Sequence, residues 1–327
     1  MSVTVSADDI KRVKGLGFLQ QKGTDTFNAR VLTRNGKITT KEAMMVAEAA
    51  DKYGNGEMAF TTRQTIEVQG IHYDNIDAFT AHIEAGGLLV GGTGPKVRPI
   101  VSCKGTTCQY GLYDTYGLSE KIHERFYIGY HGVKLPHKFK IATGGCPNNC
   151  VKPDLNDVGI IGQKVPVFDA EKCRSCKVCV VAKVCPMKAA SKAEGEKLVY
   201  DKEKCINCGR CLYMAKCPFG AMTEEVTGYK VTLGGRWGKK VGQGTPMSKI
   251  FTSEEEVLDT VEKIILFFKD QGVAGERLAD TVARVGFEKA EAMILSNELG
   301  RRFLCLCKCF NSLYRRGNVW FWSRTWN

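Results

Sequence analysis

The sequence has little that would send the chain out of the cytoplasm or into a membrane. Its first ten residues, Met1-Ser-Val-Thr-Val-Ser-Ala-Asp-Asp-Ile10, lack the basic and then apolar run of a secretory signal. No stretch approaches the roughly 18 apolar residues of a membrane span. No flavin or nicotinamide motif is present, so a primary electron donor is expected on another subunit or a separate carrier. Also absent are a basic stretch interleaved with aromatics and any nucleic-acid module signature, so the formal net charge of +12 is not read as a nucleic-acid footprint. Acidic residues run out after Glu298. The tail, residues 301–327, instead carries Cys305, Cys307 and Cys309 at alternate positions together with Trp320, Trp322 and Trp326. C-x-C-x-C lacks the two-residue turns of a cluster loop, and the tail is assigned no role. These absences leave an expected cytoplasmic protein, whose 43% hydrophobic content suffices for more than one packed domain.

Cysteine is abundant, with fifteen residues, twelve of them in three groups of four. In a reducing compartment such numbers favour metal ligation over disulfides. Cys173, Cys176, Cys179 and Cys185 before Pro186 are followed, 32 residues on, by Cys205, Cys208, Cys211 and Cys217 before Pro218. Both groups read C-x2-C-x2-C-x5-C-P, the tandem pattern of a two-cluster ferredoxin. The last gap is longer than the usual three residues, and the fourth Cys serves the other cluster. Zinc more often takes pairs of C-x2-C than triplets. Each repeat is expected to be a strand-turn-strand unit with little core, held together by its metal. A four-thiolate 4Fe-4S cube carries about −2, so three of them offset roughly half the positive excess.

Around this insert the pattern is α+β. Asn28 to Gly36 reads as extended, Thr40 as the N-cap of a helix from Lys41 to Tyr53, and Gly54 as its stop. Met58 to Val68 alternates as a single strand that places Arg63 opposite Phe60 and Ile66. Asp74 is expected to cap a helix carrying Ile76, Phe79 and Ile83, which gives a split βαβ, ferredoxin-like half-domain. Beyond the insert, Val226 to Leu233 reads as a strand and Gly234 to Gly238 as a loop. Ser253 with Glu256 opens an amphipathic helix bearing Val257, Val261, Ile264, Ile265 and Phe268.

The remaining group is spaced differently. Cys103-Lys-Gly-Thr-Thr-Cys108 and Gly145-Cys146-Pro-Asn-Asn-Cys150 place two cysteine pairs in glycine-containing loops, enough for one cube. Between them, in Lys134-Leu-Pro-His-Lys138-Phe-Lys140, Lys138 and Lys140 fall on one side of an extended segment and suggest an anion pocket. His137 between them is read as structural.

Thr61-Thr62-Arg63-Gln64, Arg98, Lys138-Phe-Lys140, Gly145-Cys146-Pro-Asn-Asn-Cys150 and the paired insert occur in that order. Over about residues 15–298 they resemble the sirohaem-dependent sulfite and nitrite reductases, especially the C subunit of the anaerobic sulfite reductases and the dissimilatory type. The family's first pair is often C-x5-C, where this chain has C-x4-C. The resemblance implies a half-domain at residues 1–90, a sirohaem and 4Fe-4S domain at 91–165 that returns at 223–300, and a two-cluster ferredoxin insert at 166–222. It implies that Cys103, Cys108, Cys146 and Cys150 hold a cube and that Cys150 bridges to the sirohaem iron. It further implies that Arg63, Arg98, Lys138 and Lys140 hold the substrate anion, and that Thr62, Arg63, Gln64, Lys104 and Arg236 lie toward the cofactor. Six-electron reduction of sulfite, fed through two further 4Fe-4S clusters, is the implied activity. Nitrite reduction and a purely electron-carrying polyferredoxin are the alternatives. Pairing with a like or different subunit is implied as well.

Overall fold

The computed structural model describes residues 5–296, and the Cys- and Trp-bearing tail lies outside them. The first unit begins with α1 (Ala7–Leu16), β1 (Phe18–Gln20), β2 (Thr26–Leu32) and α2 (Thr40–Tyr53). It continues with β3 (Met58–Phe60), β4 (Thr65–His72), α3 (Ile76–Ala85) and β5 (Leu89–Val90). The sheet runs β1-β2-β4-β3 with β5 also on β2, antiparallel throughout. Phe18, Phe27, Val46, Val68, Phe79 and Ile83 fill the core beneath the helices.

Local chemistry shifts two of the expected caps. Thr39, not Thr40, is the N-cap of α2, because its hydroxyl accepts from Glu42 N while Glu42 reaches back to the Thr39 amide. Asp74 does not cap α3. It sits in a short 3-10 turn, Tyr73–Asn75, that leads directly into the helix.

The single strand expected over Met58 to Val68 is a hairpin. Thr61 N donates to Thr65 O at 2.9 Å, the Thr61 hydroxyl accepts from the amides of Arg63 and Thr65, and Gln64 takes the left-handed conformation at φ 58°. Phe60 pairs with Ile66 and Met58 with Val68. Directly opposed residues share a face, so the alternation passes through the turn unbroken and periodicity alone does not reveal it. Arg63 therefore stands at a hairpin tip.

The second sheet contains β6 (Val101–Ser102), β7 (Ile141–Gly144) and β8 (Val158–Phe168), with α4 (Thr115–Ile122) between the first two. The insert that follows has α5 (Val180–Val184), β9 (Ala190–Ser191), β10 (Val199–Tyr200) and α6 (Arg210–Tyr213). The chain then returns as β11 (Met222–Leu233), β12 (Thr245–Phe251), α7 (Glu254–Gln271), α8 (Leu278–Val285) and α9 (Phe287–Leu295). Strand order is β12-β11-β8-β7-β6, with β6, β7 and β8 parallel and the rest antiparallel. The expected apolar positions of α7 are all buried against this sheet.

The insert is carried on the long β8-β11 ribbon. Its repeats are a cysteine loop followed by a short helix, joined by the β9-β10 pair, rather than strand-turn-strand units. Its buried core is small, with Val181, Ala190, Leu198 and Met222 packed together, cysteines around them and a few further alanines buried. So few apolar groups do not offset the conformational entropy of the segment without metal. Chelating the iron is expected to open residues 170–220 to protease while both sheets stay protected, as read by mass spectrometry of limited digests. Equal resistance of the iron-free insert would contradict this.

Candidate functional site

Two adjacent parallel strands position the first cysteine group. β6 runs into Cys103 and β7 into Cys146, in the register Val101↔Ala142 and Ser102↔Thr143, so both pairs leave the sheet at the same end. The loops meet glycine on glycine, since a Cβ on Gly145 would lie 2.9 Å from Gly105 Cα. Gly145 N donates to Cys103 Sγ at 3.1 Å, and Leu112 N to Gly145 O at 2.9 Å. Burial pushes the Cys146 thiol up, and the nearby Cys103, Cys150 and Cys108 push it further. Thiols that oppose one another's ionisation are relieved by positive iron. Cys150 is the exposed member of the set.

Among the described residues, no three His, Cys, Asp or Glu side chains converge on the point a single metal ion would take. Mononuclear zinc holds its sulfurs at about 2.3 Å from one centre, whereas each thiolate of a cube binds its own iron. The donor set fits the cube.

The cations gather at the opposite end of the same two segments. Val97 forms a parallel bridge with Phe139, and both are buried, so alternation turns Arg98, Lys138 and Lys140 to the other side. Arg98 is held by Nε to Gly94 O at 3.0 Å and Nη1 to Gly92 O at 2.5 Å. Arg63 reaches in from its hairpin tip. Its Nη1 donates to Asn156 Oδ1 at 2.8 Å, and its Nη2 to the carbonyls of Pro99 and Ile141, so it spans both segments.

A fifth cation, Arg277 at the start of α8, joins them without any signal in the sequence. Its Nη2 meets both oxygens of the buried Asp157 at 3.0 and 2.9 Å, and Asp157 also accepts from Lys140 N at 2.9 Å. No spacing links residues 120 apart, and only chain closure brings them together. The Nε atoms of Arg63 and Arg277 are buried without a partner among the described residues.

The crowding shows in the ionisation of the group. Burial pushes Lys140 down to about 8, with Arg63, Arg277 and Lys138 adding to the effect against Asp157. Lys138 falls through burial, then Arg277 and Arg98. Arg63 and Arg98 drop to about 10, chiefly through burial. Orphaned buried donors and ammonium groups that resist their own charge fit an anion.

The other expected residues divide. Gln64 commits its amide to the backbone of Ser102, with Nε2 to Ser102 O at 2.7 Å and Ser102 N to Oε1 at 2.9 Å, which pins the Arg63 hairpin beside Cys103. Thr62 and Lys104 are exposed. Arg236 pairs with Asp280 at 2.6 Å. His137 Nδ1 accepts from Lys138 N at 2.7 Å, a structural role.

Asp157 is fully covered, so Arg277→Met strands a buried carboxylate. The expected cost is about 3–5 kcal/mol, read as a lowered urea midpoint that Arg277→Lys partly restores. An unchanged midpoint would contradict the pairing.

In the insert, Cys173, Cys176 and Cys179 line one small cavity with Cys217. Cys205, Cys208 and Cys211 line another with Cys185. The fourth cysteine of each repeat thus lies with the other repeat's triplet. Burial, then Cys205 and Cys208, push Cys211 up to about 12, and Cys185 contributes.

β8 acts as a ruler between the three sets. Gly162 lies against Gly145, where a Cβ would be 2.4 Å from the Gly145 carbonyl oxygen. Lys164 N donates to Asn207 O at 2.8 Å, and Phe168 lines the Cys173 cavity. At about 3.3 Å per residue these points lie roughly 7 and 20 Å along the strand from Gly162. The Arg210 guanidinium also sits 4.6 Å over the ring of Tyr110, two residues beyond Cys108.

Comparison with known proteins agrees with this arrangement. The model of the nitrite and sulphite reductase 4Fe-4S domain matches residues 93–303, and that of the nitrite/sulfite reductase ferredoxin-like half domain matches 19–86. The chain is 35% identical over 277 residues to coenzyme F420-dependent sulfite reductase of Methanocaldococcus jannaschii, covering 84% of this chain and 43% of that protein. It is 34% identical over 168 residues to the C subunit of anaerobic sulfite reductase of Salmonella typhimurium, covering 45% and 47%. The chain spans about half the length of the curated relatives it matches. A crystal structure of dissimilatory sulfite reductase I superposes with a TM-score of 0.66 at 21% identity, over 82% of this chain and 69% of that one, a likeness of fold. With both family models matched in order and the two cysteine pairs and basic residues brought together by the fold, the chain belongs to the nitrite and sulphite reductase family.

Proposed function

We propose that the protein reduces sulfite to sulfide with a sirohaem that Cys150 would hold and a 4Fe-4S cube that Cys103, Cys108, Cys146 and Cys150 would hold. The observation that carries this reading is the clustering of Lys138, Lys140, Arg63 and Arg277 about the buried Asp157, with Arg98 beside Arg277, where the segments that lead into the four cysteines begin. A pure electron carrier has no use for such a cluster of cations. Bound sirohaem supplies the electron-rich iron and a further anionic surface. The chain's own residues do the rest. Arg63 and Arg98, fixed by backbone carbonyls, present charge toward an oxyanion without reorganising. Lys138 and Lys140, with lowered pKa values, can give the two protons that each oxygen needs to leave as water and take protons back from solvent.

Electrons would enter through two more 4Fe-4S clusters, in the order set along β8. The cluster at Cys173, Cys176, Cys179 and Cys217 is the outer one, and that at Cys185, Cys205, Cys208 and Cys211 the inner one. The donor would be another subunit or a ferredoxin-type carrier, in a reducing, cytoplasmic setting. Pairing with a like or different subunit is part of the same reading. No helix among the described residues is long and apolar enough to cross a membrane.

The test is an absorption spectrum of fully metallated protein combined with turnover on sulfite and nitrite. Sirohaem bands with faster sulfite turnover support the reading. Faster nitrite turnover would replace the substrate, and the absence of haem bands from loaded protein would leave only an electron carrier.

A further inference from the structure

We propose that the face of the insert over the outer cluster docks an acidic one-electron carrier protein, an inference that rests on the relay order given above. Arg174 and Lys177 project from the loop between the first three cysteines, and Lys192 and Lys197 stand across the cavity on the β9-β10 side. None of the four pairs with a carboxylate among the described residues. Lys192 and Lys197 rest only on the carbonyls of Ala193 and Ala170, at 3.3 and 3.1 Å.

Between these cations lies exposed apolar surface, with Val178 67% and Phe219 48% accessible. An apolar centre bordered by unpaired cations in excess is the make-up of a transient, electrostatically steered interface. The insert as a whole, residues 169–222, carries eleven Lys and Arg against six Asp and Glu. Two of those acids, Asp169 and Asp201, are taken by Lys172 and Lys204. Glu194 and Glu196 flank the patch in the β9-β10 loop without pairing to its four cations.

The charge selects the occupant. A second copy of this chain set face to face here would oppose the same four cations, whereas a carrier with acids around its own cluster is attracted. Its redox centre would then face the loop of Cys173, Cys176 and Cys179 that carries Arg174 and Lys177. The inner cluster lies against the rest of the protein. Its loop packs on Lys164, and Arg210 from that loop covers Tyr110.

The experiment uses the full-length, cluster-loaded protein and a reduced acidic plant-type ferredoxin in stopped flow, reading cluster bleaching rather than sulfite turnover. The second-order rate is expected to fall steeply as ionic strength rises from about 0.01 M to about 0.3 M. Arg174→Glu with Lys177→Glu should slow it at least about ten-fold at low salt, the size expected when steering is removed. Arg174→Gln with Lys177→Gln should be intermediate. Lys11→Glu with Lys41→Glu, on exposed faces of α1 and α2, should match the parent. Reduction by reduced methyl viologen should stay at the parent rate in every variant, with iron content and EPR intensity confirming that the clusters are loaded.

A rate that is independent of salt, or unchanged or raised by charge reversal, overturns the docking surface. So does reduction by the small mediator combined with none by the ferredoxin. Because cluster bleaching does not involve the substrate, loss of sulfite turnover alone would instead count against the catalytic reading.

Discussion

Cys150→Ser is expected to remove the haem bands and to lower sulfite turnover by at least about 100-fold, the scale on which even supporting groups of a metal site act. The clusters of the insert should remain at parental EPR intensity. Three observations separate this from simple misfolding. Cys150 is the exposed thiol of its group, whereas the other three are partly covered. Its loop is shaped by Asn149 and Lys152 in the left-handed region, at φ 58° and 49°, and by Lys152 N donating to Asn149 O at 2.8 Å. The insert draws its eight cysteines from elsewhere in the chain. The substitution therefore removes one sulfur at the open edge of the cube and leaves the frame in place. Parental turnover with an unchanged spectrum in Cys150→Ser would remove the bridging role and, with it, the proposed catalytic centre.

Lys140→Met is expected to reduce kcat/KM for sulfite by about 100- to 1,000-fold, the usual cost of deleting one preorganised charge at a reacting oxyanion. The pH profile makes this prediction specific to charge. Burial and three neighbouring cations bring the ammonium down to about 8, so it is charged below that pH and neutral above it. Anion capture is therefore full on the acid side and falls as pH rises through the limb. Any anion added to the chamber favours the charged form, which places the limb at or above pH 8 and not below it. Lys140→Arg, which stays protonated, should flatten the limb. The measurement is kcat/KM from pH 6 to 10, with circular dichroism confirming the fold. A flat parental profile together with an undiminished Met variant would show that Lys140 does not meet the substrate.

Both predictions depend on contacts of unequal visibility. Lys138 and Lys140 are legible as a same-side pair because two residues of extended chain suffice to align them, and the buried Phe139 between them confirms it. Motif order places Arg63 but not its setting. A hairpin whose paired residues keep the parity of the alternation looks like one strand until the Thr61 hydroxyl and the left-handed Gln64 close the turn. Gln64, expected toward the cofactor, instead fastens the hairpin to Ser102. Arg277 and Asp157 give no signal. One is an ordinary basic residue ahead of a helix, the other an acid ahead of a strand, and their meaning exists only in each other's presence.

What the sequence determined by itself is the family and the spacing of its cysteine loops. Cluster loops are local objects, and C-x2-C-x2-C or Gly-Cys-Pro-Asn-Asn-Cys sets its sulfurs within a turn or two of chain. Tertiary structure decided how those local pieces combine. It grouped Cys217 with the first triplet and Cys185 with the second, spaced three cysteine sets along one strand, and set the buried Asp157 on Arg277 among the other cations. The division follows from range. Spacing fixes what a few consecutive bonds can align, whereas burial, charge crowding and partner choice arise only when segments far apart in the chain are packed into the same volume.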